Sequence, residues 1–111
     1  MKSENMQRQM RKGVIEFCVL SILRKNEAYP SEIIEQMKEA DFQLLEGTLY
    51  PLLTRLKNGD LINYRWEESP SGPPRKYFSI TAEGESFYQQ LLETWSELNL
   101  SVNKIIANSE K

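Results

Sequence analysis

Residues 45–59 read LEGTLYPLLTRLKNG, and residues 61–80, almost directly after them, read LINYRWEESPSGPPRKYFSI. The first stretch has the period of a helix. At 100° per residue Leu49, Leu52, Leu53 and Leu56 fall on one side, with Gly47, Pro51, Thr54 and Asn58 opposite. Thr48, Tyr50 and Arg55 sit on the flanks, so the outward face is small, hydroxyl-bearing and carries one arginine. Pro51 has to lie within or just beyond the first turn, because deeper in a helix it costs about 3 kcal/mol. Asn58 and Gly59 predict a left-handed stop, bounding a helix over about 45–57.

The second stretch reads as a β-hairpin. Residues 61–67 and 76–80 are rich in Ile, Tyr, Trp and Phe. Alternation puts Ile62, Tyr64 and Trp66 on one face of the outgoing strand, and Phe78 and Ile80 on one face of the return. Between them residues 68–74 form a loop longer than a tight turn, stiffened by prolines and ending in Arg75 and Lys76. That predicts a shaped, electropositive projection.

Upstream, residues 6–25 carry two apolar stripes, Met10, Val14, Phe17 and Ser21 on one and Ile15, Val19, Ile22 and Leu23 on the other. Two stripes predict a helix covered on most sides. Tyr29-Pro30 opens a further helix, since proline is accommodated in the first turn; Ile33, Ile34, Met37 and Ala40 form its apolar face and Asp41 lies near its end. Downstream, Thr81 is a good N-cap, and Glu83 and Glu85 suit the positive end of the helix dipole. From there to about residue 107 Tyr88, Leu91, Trp95, Leu98, Val102 and Ile105 recur at spacings of three and four, a heptad seam. Some 25 residues of helix span roughly 38 Å. That outruns what a body of this size covers, so the seam calls for a second copy of the chain.

Composition narrows the chemistry. The 111 residues, 40% hydrophobic and 27% charged, suit one compact unit. Cys18 is the one cysteine and there is no histidine, which leaves no internal disulfide, no thiolate zinc site and no Ser-His or Cys-His pair. No cofactor and no enzymatic activity are expected. No run of about 18 apolar residues appears, and the N-terminus is polar with no signal-peptide core behind it, so a cytoplasmic location is expected. The formal charge is −2, unevenly spread: residues 1–25 hold six bases against two acids, residues 26–45 one against five. A chain of this kind binds nucleic acid only by gathering its bases on one surface.

The order of elements, three helices, a two-stranded hairpin and a long helix, is that of a winged helix-turn-helix, mainly α with a small β-hairpin. In that arrangement the third helix enters the major groove and the hairpin loop touches the neighbouring backbone. Residues 1–81 form the DNA-binding part and residues 82–111 the C-terminal dimerisation helix. Thr48 and Tyr50 can bond phosphates or bases, Arg55 either, and the wing over 68–76 brings Arg75 and Lys76 to phosphates or the minor groove. Alternatives remain open here. Arg55 can instead pair with a carboxylate of its own surface, Thr48 can serve as a local cap at the helix start, and Tyr29 and Tyr50 can pack at the edge of the core.

The same residues resemble the PadR-like transcriptional regulators. The likeness is carried by MRKG at 10–13, EGTLYPLLTRL at 46–56 and GPPRKYFSITAEG at 72–84. It implies a dimeric bacterial repressor of the family's short subgroup, with one helix after the wing to build the dimer. Thr48, Tyr50 and Pro51 match the family's recognition-helix motif, and Arg75 and Lys76 its wing. Tyr29 matches the first tyrosine of a Tyr-Gly-Tyr-Glu-Ile pattern, which here reads Tyr29-Pro-Ser-Glu-Ile33 and lacks the second.

Trp95 is large for a seam position. It either packs the dimer interface or faces its copy across the symmetry axis. In the second case two indoles form a slot for a flat aromatic ligand, lined also by Phe17 and Val14; some members of the family respond to phenolic compounds or planar drugs. The leading expectation is thus a homodimeric, sequence-specific repressor of a pseudo-palindromic operator, relieved by a small aromatic effector. The alternative is a winged-helix module for protein interaction or small-molecule sensing that does not contact DNA.

Overall fold

The computed structural model describes residues 2–111. Four helices, α1 (Lys2–Lys25), α2 (Pro30–Glu39), α3 (Glu46–Asn58) and α4 (Ala82–Ser109), enclose one hairpin, β1 (Ile62–Ser69) and β2 (Gly72–Ile80), set between α3 and α4. This is the winged-helix order that the sequence predicts. α1 begins earlier than expected, and its amino-terminal half is a solvated extension: Met10 is 77% exposed, while Val19, Leu20 and Leu23 are buried. Val14 and Phe17 of the stripe through Met10 are half-buried, but its Met10 end lies without a covering partner among the described residues. Polar helix formers and the absence of proline let the helix run on without one.

Helices α2 and α3 end alike. The Phe42 N–H reaches the Met37 carbonyl at 2.8 Å and the Leu61 N–H reaches the Leu56 carbonyl at 3.0 Å. The residue before each, Asp41 and Asp60, has φ of 62°. These are Schellman closures. They correct the expected stop at Gly59, whose φ is −86°. Aspartate tolerates the left-handed region better than most residues, so the glycine is not needed for it. All four leucines of the predicted α3 face are buried, and truncating any one to alanine is expected to cost about 2–5 kcal/mol. Pro51 is the sixth residue of α3, just past the first turn.

The hairpin pairs Ile62 with Ile80, Tyr64 with Phe78 and Trp66 with Lys76, with an irregularity between Glu67 and Ser69. The strands run on to Ser69 and Gly72, so the predicted seven-residue loop is corrected to a tip of Pro70 and Ser71. Pro73 and Pro74 lie in the irregular stretch between the Glu67–Arg75 and Ser69–Gly72 pairs, where neither is registered with a residue of β1 and a missing N–H costs little. Ala28 adds a single bridge to β2, exchanging two 2.9 Å hydrogen bonds with Phe78. This ties the start of α2 to the wing.

Thr81 joins wing, α3 and α4. Its hydroxyl donates to the Asp60 carbonyl at 2.7 Å and accepts from the Gly84 N–H at 2.9 Å. α4 then leaves the body: Tyr88 is buried, Leu91 half-buried, and Trp95, Leu98, Val102 and Ile105 are exposed. The molecule measures 60 × 34 × 23 Å, its length set by these two protruding helices.

Candidate nucleic-acid interface

The outward ridge of α3, made of Gly47, Pro51, Thr54 and Asn58, is exposed. With no large side chain on it, another surface can come close to its backbone. Toward the wing the helix presents Tyr50, 52% exposed, and half-buried Lys57. The inner face of the hairpin stands opposite with Tyr64, Trp66 and Lys76. Between them lies an open groove of about 880 Å³, closed at one end by Tyr29, Pro30 and Ser31 of the α2 start.

The groove's charge is one-sided. Its described lining residues include Lys57, Arg75 and Lys76 and no carboxylate. None of the three is in an ion pair among the described residues, whereas Arg24, Arg55 and Arg65 are all paired. Aromatic rings hold the cations instead. The Lys76 amine lies 4.4 Å from the Tyr64 ring and 5.4 Å from Trp66, and Lys57 lies 6.0 Å from Tyr64. A ring face steadies a cation without neutralising it.

Arg75 and Lys76 do not act as an adjacent pair at a loop base. Both lie on β2, where successive side chains point to opposite faces. Lys76 shares the inner face with Trp66, and Arg75 is registered with Glu67 on the outer. Arg75 lies over the Tyr29 ring, which packs at a tilt against Tyr77 with centroids 4.0 Å apart; beyond it Arg65 lies over Tyr77. Arg65 is fixed by Glu27 at 2.6 Å and by Glu67, and its guanidinium holds the Glu27 carboxyl below its usual range. Loss of solvent and the charge of Glu32 push the Tyr77 phenol up. The outer face is thus a salt-bridged girder, with Tyr29 and Arg75 at its groove end.

Of the residues singled out from sequence, Tyr29, Tyr50, Pro51, Arg75 and Lys76 line the groove, and Thr48 and Arg55 do not. Thr48 is exposed on the far flank of α3. Arg55 takes the carboxylate option, donating to Glu16 of α1 at 2.9 Å. Sequence reasoning missed Lys57, which follows Tyr50 by seven residues and so shares its flank. It also missed Tyr64 and Trp66, whose face it had identified but given no role.

On the opposite side of the molecule Phe17 stacks on Tyr88 at 5.5 Å and lies 6.4 Å from Trp95. Val14, one turn before Phe17, is half-buried. Tyr88 is already covered within the chain, with Arg24 over its ring, and the exposed seam starts at Trp95. Burial pushes the Cys18 thiol up, as for a small core residue. Among the described residues no group of His, Cys, Asp or Glu is placed to hold a metal ion, and no helix is long and apolar enough to cross a membrane.

Residues 19–90 match the model of the transcriptional regulator PadR-like family. A PadR-like transcription factor from Bacteroides fragilis is 55% identical, with 91% of this chain and 98% of that chain covered and a TM-score of 0.78. A PadR family transcriptional regulator from Eggerthella lenta is 30% identical over 94% of this chain and 91% of its own, at a TM-score of 0.86. Bacillus subtilis PadR, solved in complex with operator DNA, is similar in fold at a TM-score of 0.67. It is 23% identical, over 71% of this chain and 47% of its own.

Proposed function

The chain belongs to the PadR-like family of transcriptional regulators, and from that premise we propose that it is a homodimeric, sequence-specific DNA-binding repressor acting in the cytoplasm. The observation that carries this reading is the groove between α3 and the wing. Its three cations, none of them paired among the described residues, and its absence of lining carboxylates stand out in a chain of net charge −2. The fold shared with an operator-bound PadR supports it.

In this reading residues 1–81 carry DNA recognition. α3 lies in the major groove, with Thr48, Tyr50 and Pro51 toward base edges and Arg55 exchanging Glu16 for a phosphate. Tyr29, Arg75 and Lys76 hold the flanking backbone or the minor groove. Residues 82–111 join two copies through Trp95, Leu98, Val102 and Ile105; Tyr88, also expected on this seam, is buried within its own chain and Leu91 half-buried there. The two recognition helices then meet half-sites of a pseudo-palindrome roughly 34–36 Å apart, or a multiple of that. A planar aromatic effector seated between the two Trp95 rings, against Phe17 and Val14, changes the spacing of those helices and releases the operator.

The experiment is fluorescence anisotropy on the duplex upstream of the chain's own gene, at about 50 and 200 mM salt with excess unrelated duplex present. Tight, salt-sensitive binding that survives the competitor is expected, together with quenching of tryptophan emission by planar aromatics. Binding lost to the competitor excludes sequence specificity. No emission response from a broad aromatic panel excludes the effector.

A further inference from the structure

Along the inner face of β1 burial fades with distance from the core: Ile62 is 1% exposed, Tyr64 half-buried and Trp66 61% exposed. The hairpin simply outruns the body that would cover it. An indole left in water forgoes a large apolar burial, and this one is held in place. Its cross-strand partner is Lys76, whose amine sits 5.4 Å from the ring, and Tyr64 meets it edge-on at 6.0 Å. The inner side of the indole is fixed and the outer side is open.

That open side borders two places at once, the basic groove and a hollow at the wing tip shared with Glu68, Pro73 and Pro74. Their chemistry differs. The prolines have no N–H to offer a phosphate, and Glu68 repels one. The ring surface beside them suits an uncharged, partly apolar partner. In a duplex held by Lys57, Arg75 and Lys76 at its phosphates, the group next to the phosphate that meets this description is deoxyribose. We propose that Trp66 is a non-ionic DNA contact, its indole packing against the sugars of the minor-groove wall when the wing is seated. The proposal rests on the DNA-binding reading above, but it separates an apolar share of the affinity from the ionic share.

Salt dependence distinguishes the two, because each phosphate contact contributes about 0.9 to the slope of log affinity against log salt and a sugar contact contributes none. The test measures Trp66→Ala and Trp66→Phe beside Lys76→Ala by anisotropy on the upstream duplex across a salt series. Thermal melting of each variant checks that it is folded. Trp66→Ala is expected to weaken binding about tenfold at every salt concentration with the slope unchanged. Trp66→Phe falls between it and wild type, and Lys76→Ala lowers the slope by about one. A loss under about threefold with Trp66→Ala overturns the sugar contact and leaves the basic groove standing. A slope that drops along with the affinity also overturns it, since the indole then acts only by holding Lys76. Wild-type protein that binds no duplex at about 50 mM salt overturns the DNA-binding reading and this contact together.

Discussion

The guanidinium of Arg75 lies 5.1 Å above the ring of Tyr29, although 46 residues separate the two. Tyr29 is the N-cap of α2, and its N–H donates to the Glu32 carboxylate at 2.8 Å. The backbone bridge between Ala28 and Phe78 sets the neighbouring residue against β2, which carries the ring to Tyr77 and Arg75. The cation at the wing is therefore positioned by the start of α2.

Arg75→Ala should weaken duplex binding and reduce the salt slope by about one. Tyr29→Phe should keep the cation in place and bind within a few-fold of wild type, whereas Tyr29→Ala should lose affinity as Arg75→Ala does. Anisotropy titrations across a salt series measure all three. Equal binding by Tyr29→Ala and wild type contradicts the positioning role.

Gly84 is enclosed. A Cβ built on it falls 1.9 Å from the Leu61 carbonyl oxygen and 2.7 Å from Ile80 Cγ1. The first of these is backbone and cannot swing aside, so Gly84→Ala must displace α4 from the wing. The expected cost is at least about 2 kcal/mol, a drop of ~8 °C or more in melting temperature. Gly47→Ala, which meets nothing within 4 Å, serves as the control and should melt near wild type.

Arg24 grips Glu85 with two nitrogens, at 2.6 and 3.0 Å, binding α1 to the first turn of α4. The Arg24 hydrogen bonds hold the Glu85 carboxyl below its usual 4.5. The folded pKa is below the unfolded one, so the stabilisation is present above the unfolded value and is lost as pH falls through the folded one. Glu85→Gln should therefore melt lower than wild type at pH 7. The gap should close as pH drops below the ordinary carboxylate range. A gap that stays constant down to pH 2 rules the ion pair out as its cause.

The outer seam of α4 leaves Leu98 55% and Val102 43% exposed. Leu98→Asp with Val102→Asp should shift the protein from dimer to monomer in sedimentation velocity with little change in the melt of the body. It should also weaken operator binding at least tenfold, because one chain then holds only one half-site. Unchanged sedimentation excludes this seam as the interface.

Local periodicity was enough to read α3, though not its stop, which falls at Asp60 and not at Gly59. Leu49, Leu52, Leu53 and Leu56 have one burial solution on a helix, and Thr81 before Glu83 and Glu85 announces the start of α4. Strand signals located the hairpin but misjudged its tip, because Pro73 and Pro74 look like loop when read alone. Only their place in the unpaired stretch between the Glu67–Arg75 and Ser69–Gly72 pairs makes them compatible with a strand. The fate of Arg55 depends on Glu16, 39 residues away, and no spacing rule links the two.

The sequence by itself determined which residues turn inward along each element, since that follows from the period of apolar side chains and from caps a few residues long. The tertiary structure alone decided which of these cations meet a carboxylate among the described residues. Arg24, Arg55 and Arg65 meet carboxylates brought in from distant elements, while Lys57, Arg75 and Lys76 meet aromatic rings. Counting charge along the chain cannot separate the two sets, because pairing depends on which surfaces the core packs side by side.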